Sequence, residues 1–528
     1  MDFLKRISTS LLSPFKENLY IFIFLLLFSS LVHIFAFSVV ESLAKGAYIF
    51  LHHYVICYFL TLLYGCIYGY WRKVYMIILM IFLAINYLID FFCIYVYRFV
   101  FDKDICAVVI GTNNEEAGEF IKTFFSYSLI IYPFLGLLVF WALFRLVKKV
   151  NPHFGTRFSV VCLMFVLVAY LTTYIANSKN WGLVSVGKIY TFLSTTTPPD
   201  LKEYYTHPEI ENDRTGFPNY IVVVIGESLT KTHMSLYGYE KETSPYLMKL
   251  MNDSSLLVFS NVEAPAKNTV PAFKSIMSTY RYQYGDEINW YECTTLLEVM
   301  DIAGFDTEWI SNQSSKGWYD NVVAKYAALA DTSIFVGNRF SPLKFGDYDG
   351  LILDVLPSLM DTSRNKFQII HLMGNHYAFD KRYPAEYACF SSDDYKQYPE
   401  HQRYDRATYD NSVLYNDYVV GNIMDLYKDK NAIVFYFSDH SLDVYETSDD
   451  FVGHARGLYN DPIGIRIPFM VYMTDTYRTM YPEVYNGIKK AVDDEFNTED
   501  FIYTIMDVVG LRFKENDDVE KFSAFELN

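Results

Sequence analysis

"YIVVVIGES", Tyr220 to Ser228, decides how the fold is read. Five β-branched residues, Ile221 to Ile225, run into Gly226 and one carboxylate, Glu227. A short, unbroken apolar run suits a strand covered on both faces, as in a parallel sheet. Three further runs share this character: "FQIIHLMG" (Phe367–Gly374), "AIVFYFSDH" (Ala432–His440) and "IPFMVYMT" (Ile467–Thr474). Helical patterns lie between them, such as "PYLMKLMND" (Pro245–Asp253) and "TTLLEVMDIAG" (Thr294–Gly304), the second closing on a glycine stop. Alternating strands and helices from Asn219 onward predict an α/β sandwich over residues 219–528.

Open α/β sheets bind ligands beyond the carboxyl ends of their strands. Glu227 stands at such an end, and so do Asp439 and His440; His376 follows the "FQIIHLMG" run, and His454 comes later in "GHARG". Two carboxylates and up to three imidazoles suit a divalent cation, zinc first. Taken singly, each residue has a plainer reading. Glu227 could cap a helix, since an acid near a helix N-terminus is favourable. Asp439–His440 could be a hydrogen-bonded turn, and His376 and His454 loop histidines. Thr269, in "NVEAPAKNTVPAFKSIMSTY" (Asn261–Tyr280), precedes Pro271, which fits a first helical turn. A helix N-terminus stabilises anions there. A threonine hydroxyl becomes a competent nucleophile only when a base or metal lowers its pKa. The plainer reading of Thr269 is a helix cap.

The first third of the chain is different. Leu19–Val40, Ala47–Trp71, Val74–Val96, Phe124–Phe144 and Phe158–Ala176 are 19–25 residues long, and Asp90 is their one charged residue. About 20 apolar residues cross a hydrocarbon core of about 30 Å, so five transmembrane helices are expected within residues 1–176. Lys5, Arg6 and Lys16, then Arg72 and Lys73, then Arg145, Lys148, Lys149 and Arg157 mark cytoplasmic segments. Five crossings then leave everything after about Asn177 outside. The first stretch is too long for a signal-peptide core and is expected to stay as an anchor. Residues 177–218, with "TTTPPD" (Thr195–Asp200), read as a connector.

A net charge of −17 argues against a nucleic-acid binder. Of seven cysteines, only Cys293 and Cys389 fall in the exported half, as one bridge or as two free thiols.

"GESLTKTHMSLYGY", the Thr269 segment and "FSDHS", behind five apolar stretches, together resemble the membrane-bound phosphoethanolamine transferases of Gram-negative bacteria. These modify lipid A or lipopolysaccharide core and belong to the alkaline phosphatase and sulfatase superfamily; they include the polymyxin-resistance enzymes. The resemblance runs along essentially the whole chain. It implies Glu227, Thr269, Asp439 and His440 as metal ligands, with Thr269 also the nucleophile. It puts His376 and His454 beside the phosphate or a second metal position, and Lys316, in "NQSSKGW", in a substrate loop. In "TNNEEAGE" it marks Glu116 as the glutamate that meets the lipid substrate. It further implies zinc, as one ion or two, phosphatidylethanolamine as donor, and lipid A or core oligosaccharide as acceptor. A monomer in the bacterial inner membrane, with its catalytic domain in the periplasm, completes the expectation.

Two segments depart from the pattern. The family's Thr-Ala-Arg after the metal glutamate is Ser228-Leu229-Thr230 here, and its Gly-Glu after the Asp-His pair is Ser441-Leu442-Asp443. Ala264–Ser278 also lacks the cysteines of the lipid A members. A phosphoglycerol or other lipid-headgroup transferase on the same fold is the alternative. A sulfatase is disfavoured, because Thr269 cannot become formylglycine. A non-catalytic membrane receptor is disfavoured by the intact metal set.

Overall fold

The computed structural model describes residues 10–40, 43–97, 101, 127–175, 200–214, 216–281, 288–313, 322–336, 348–360, 363–449, 451–454, 462–516, 518–525 and 527. It divides into two compact units, one built from the apolar helices before residue 176 and one from the described residues after 199.

In the first unit a helix lies at each apolar stretch: α1 (Leu19–Val40), α2 (Leu43–Cys66), α3 (Tyr70–Phe92), α4 (Ser128–Val150) and α5 (Thr156–Ile175). Among the described residues, Gly46–Cys66, Tyr70–Tyr95 and Ser128–Val150 are long and apolar enough to cross a membrane. Ser10–Lys16 and Leu19–Ser29 meet at 72° and add a fourth span if taken as one; Thr156–Thr172 is shorter. Phe28 packs on Phe140 at 4.4 Å, and Phe24 on Phe144 at 4.8 Å, in the unit's interior. The outward faces are apolar too, with Phe134, Trp141 and Leu167 exposed. A helix apolar all round is made for lipid or for a deep core, and exposed apolar area of this extent is foreign to soluble monomers.

The second unit is built on a seven-stranded sheet: β1 (Tyr220–Gly226), β2 (Leu256–Phe259), β3 (Asp306–Ser311), β4 (Thr332–Phe335), β5 (Lys366–His371), β6 (Ala432–Ser438) and β7 (Phe469–Met473), in the order β2-β7-β6-β1-β5-β3-β4. The pairings of β1 with β5 and β6, and of β3 with β4 and β5, are parallel; β7 runs antiparallel to both its neighbours. Every residue of β1 is buried. Ile221, Val223 and Ile225 enter one core, and Tyr220, Val222 and Val224 enter the other. That alternation is the period of two expected of a strand between two helical layers. Each fully buried valine or isoleucine contributes about 1.5–3 kcal/mol, so the central strand is held hard in place.

Helices α6 (Pro245–Asn252), α7 (Thr269–Ile276), α8 (Leu296–Ile302), α9 (Glu400–Leu426) and α10 (Phe501–Val509) cover the sheet. Residues of α7, α8 and α10 fill the first core and those of α9 the second. Thr295 and Glu298 form a capping box at the start of α8, and Gly304, at φ +86°, follows its end. Ile210–Asn212, within the expected connector, pairs antiparallel with Leu511–Phe513 and so joins this unit. Cys293 and Cys389 are both free thiols.

Candidate active site

Register brings the site together. Tyr220 lies opposite Ala432 and Gly226 opposite Ser438, so β1 and β6 end level. Glu227 and Asp439 therefore leave the sheet side by side. The amide of Asp439 donates to the Gly226 carbonyl (3.1 Å), and the amide of Asn375, beyond β5, donates to the Glu227 carbonyl (2.9 Å). Ser228, the next residue, sits at φ +56°, a left-handed conformation that costs a non-glycine residue about 1–2 kcal/mol. Its side chain and amide are both used. The hydroxyl donates to Glu227 Oε1 (2.7 Å), and the amide to Asp439 Oδ1 (3.3 Å).

Glu227, Asp439 and His440 are buried, and each offers a ligand atom within 4.8 Å of the others. The amide of His440 also donates to Asp439 Oδ1 (2.8 Å), while the buried Asp439 Oδ2 has no hydrogen-bond partner. The His440 Nδ1–H donates to the Ser441 carbonyl (2.9 Å), which aims Nε2 at Glu227 Oε1, 3.1 Å away. A histidine held this way at one nitrogen is ready to ligate at the other. The Thr269 hydroxyl, at the first residue of α7, donates to Glu227 Oε2 (3.2 Å) and lies 3.3 Å from His440 Nε2.

The charges ask for a cation. Burial and the neighbouring Glu227 carboxylate raise Asp439 to about 8. Burial also works against ionised Glu227, but the His440 imidazolium outweighs it and holds the group well below the carboxylate range. Burial lowers His440, yet Asp439 and Glu227 more than offset it and raise it to about 9. Two buried carboxylates thus share their site with protons that a divalent ion replaces. The Oδ2 that takes no hydrogen bond, the oriented imidazole and the oxygen-nitrogen donor set all fit such an ion.

The two other histidines differ from each other. The His454 Nδ1–H donates to the Lys267 carbonyl (3.0 Å), two residues before Thr269, and its ring lies 4.6 Å from that of His440. Burial first, then the charge of His440, lowers His454 to about 3, so it is neutral and presents a lone pair. His376 acts electrostatically on both Glu227 and His454, and its buried Nδ1 has no hydrogen-bond partner. Lys316 and Glu116 lie outside the described residues.

Some contributors were not marked by the sequence. The Gln313 side-chain amide donates to Glu227 Oε2 (3.3 Å) and to the Leu372 carbonyl (3.0 Å). The buried Asp349 accepts from the amides of Met373 and Gly374 (2.8 Å each) and from the Asn312 side chain (2.9 Å). It holds the turn that leads to His376. Gln313 was findable as a polar residue just past a strand end; nothing in the local pattern around Asp349 marks it.

The sulfatase family profile matches residues 219–511, more than half of the chain, and the chain belongs to that family. It is 26% identical over 459 residues to the phosphoethanolamine transferase EptC of Escherichia coli K12, covering 80% of this chain and 77% of the relative. The C-terminal periplasmic domain of EptC from Escherichia coli, crystallised in complex with Zn, superposes with a TM-score of 0.55 at 26% identity, covering 60% of this chain and 89% of that one. The integral membrane protein lipooligosaccharide phosphoethanolamine transferase A from Neisseria meningitidis matches with a TM-score of 0.66 at 18% identity, over 95% of this chain and 97% of that one. The fold is thus shared over 95% of the chain, apolar helices included.

Proposed function

We propose that this chain is a metal-dependent phosphoethanolamine transferase that moves the headgroup of phosphatidylethanolamine to lipid A or lipopolysaccharide core. The observation that carries this is the placing of one hydroxyl: Thr269 Oγ1 lies 3.2 Å from Glu227 Oε2 and 3.3 Å from His440 Nε2. Similarity to EptC over most of both chains supports the reaction class. Zn in the crystallised EptC domain supports zinc as the ion. Glu227, Asp439, His440 and Thr269 would hold it. When bound, it lowers the pKa of a hydroxyl and stabilises charge that develops on oxygen.

The chain's own residues supply the rest. Thr269 Oγ attacks phosphorus as the bond to diacylglycerol breaks, leaving phosphoethanolamine on Thr269; an oxygen of the acceptor then attacks the same phosphorus and frees the threonine. Two displacements give ping-pong kinetics. The N-terminus of α7 stabilises negative charge at the attacked group. Ser228 and Gln313 orient Glu227. His454 offers a lone pair rather than charge, which suits a second metal position, and His376 acts on it electrostatically. The apolar helices form the inner-membrane anchor, five spans in all, with the catalytic domain on the periplasmic side. That anchor holds the lipid donor close and replaces diffusion by proximity.

Mass spectrometry of lipid A and core from cells with and without the gene tests the reaction. Phosphoethanolamine on the acceptor should appear with the parent and vanish with Thr269→Ala. Transfer of phosphoglycerol instead would move the chain to a sister activity, and an unchanged envelope would overturn the reading.

A further inference from the structure

Each segment that departs from the phosphoethanolamine transferase pattern leads to the same buried ion cluster. The first, Ser228-Leu229-Thr230, is followed by His233, and the second, Ser441-Leu442-Asp443, by Glu446. His233 is 2% exposed; its Nδ1 lies 2.5 Å from Asp410 Oδ1 on α9 and its Nε2 3.4 Å from Glu446 Oε1. Both ring nitrogens face carboxylate oxygens, so both must carry hydrogen, and the ring is an imidazolium. Its absence would leave two carboxylates facing each other in a buried site, which is strongly unfavourable.

The cluster ties three parts of the chain. Asp410 also accepts from the Tyr239 hydroxyl (2.8 Å) and from that of Tyr395. Glu446 accepts from the Thr232 hydroxyl (2.9 Å) and the Val444 amide (2.5 Å), and its own amide donates to Asp443 (2.8 Å). From α9, the Tyr409 hydroxyl donates to the Ser228 carbonyl and accepts from the Thr230 amide, both at 2.9 Å. The loop after Glu227 and the loop after His440 are thus fastened to each other and to the longest helix of the domain.

We propose that His233 is a positioning residue, an imidazolium clasp that joins the Glu227 loop to the Asp439–His440 loop through Asp410 and Glu446 and keeps the metal-binding groups in register. The proposal rests on the metal-site reading above. His233 touches none of Glu227, Asp439 and His440. The charged groups facing it are Asp410 from α9 and Glu446 from the second loop, and the rings of Tyr239 (4.8 Å) and of Tyr409 on α9 (5.1 Å) pack against its own, with Asp443 behind Glu446 and the Tyr395 phenol behind Asp410. Burial lowers its proton affinity, but Asp410 and Glu446 more than offset this and raise it from 6.5 to about 9. The clasp is therefore fully charged below the ordinary value and is lost as pH rises through about 9.

The test uses the full-length protein in detergent, with zinc ion alone as the probe. His233→Gln and Glu446→Gln should each weaken zinc binding at neutral pH by about tenfold. Amide exchange should quicken over residues 228–233 and 441–447 but not in β1 or β6. The double variant should bind no more weakly than either single one, the mark of a shared unit. The gap between parent and His233→Gln should close above pH 9, where the parent loses its proton; mere loss of packing would leave it open. Unchanged zinc affinity and exchange in either single variant overturns the clasp. Should His233→Gln not fold, Glu446→Gln, whose side chain is 19% exposed, decides the matter by itself. If the parent binds zinc no better than Glu227→Ala, the metal-site reading falls instead.

Discussion

Gly374→Ala should damage the metal site from behind. Gly374 sits at φ +53°, and a Cβ there would meet the Glu227 amide nitrogen at 2.7 Å, its carbonyl oxygen at 2.8 Å and its Cβ at 3.2 Å. The two nearest of those atoms are backbone just past a buried strand and have little room to give. The left-handed conformation costs alanine about 1–2 kcal/mol, and overpacking typically adds about 1–3 kcal/mol. Stiffening the unfolded chain returns about 0.4–1 kcal/mol. A net loss of about 1–4.6 kcal/mol lowers the melting temperature of a domain this large by roughly 2–18 °C. If the strain is relieved by displacing Glu227, zinc binding must restore it, and affinity falls about tenfold for each 1.4 kcal/mol. Melting followed by circular dichroism, with zinc and with a chelator, measures the first effect, and competition against a chromophoric chelator the second. Gly374→Asn eases the backbone conformation but keeps the contact, so it should fall between parent and alanine. A Gly374→Ala protein that melts within about 1 °C of the parent and binds zinc equally well would refute the coupling of this turn to Glu227.

Thr269→Ala should abolish transfer and leave zinc bound within a few fold, whereas Thr269→Ser should keep measurable turnover; full activity in the alanine variant would end the nucleophile assignment. Because Asp439 is raised to about 8 and His440 to about 9, and both must lose a proton to ligate, zinc affinity should climb with pH until about 9 and then level. A flat profile from pH 7 to 9, titrated in buffers that do not bind zinc, would contradict this. Asp349→Asn keeps the shape but turns one of the two accepting oxygens, Oδ1 (Met373 amide and Asn312 side chain) or Oδ2 (Gly374 amide), into a donor, and should cost about 1–3 kcal/mol in urea unfolding. Maleimide should label the exposed Cys389 before Cys293, whose thiol is pushed up to about 11 by burial, and a disulfide in the purified protein would contradict the free thiols.

The central strands were legible because burial on both faces writes itself as an unbroken apolar run. β1 spans the same residues in sequence and structure. The flanking β3, "DTEWIS", was not legible, since its buried Glu308 is neutralised by Lys366, a partner that only the fold supplies. α9 was hidden for a similar reason: Asp410, Asn411, Ser412, Asn416 and Asp417 all face inward, and each reads as a surface residue. The antiparallel course of β7 leaves no mark, because its apolar run looks the same in either direction. At the site, strand ends pointed to Glu227, Asp439 and His440. Of the residues that support them, Gln313 follows β3 and Ser228 adjoins Glu227, both in view of the sequence, whereas Asp349 acts through contacts between distant segments and carries no local pattern.

The pairing of Gly226 with Ser438 has a consequence for how this chain tolerates change. Glu227 and Asp439 are far apart in sequence, yet their spacing in space is set by one hydrogen-bonded ladder between neighbouring strands. The long excursion between them contributes to the chemistry where it comes back to this point, at Thr269 on α7 and at Gln313 beyond β3. Lengthening, trimming or exchanging its surface loops leaves the distance between the two carboxylates untouched. A one-residue slip of β6 against β1 would carry Asp439 to the opposite face and erase the site at once. The spacing of the two carboxylates is therefore indifferent to insertion and intolerant of register, and the surface loops between them are free to diversify.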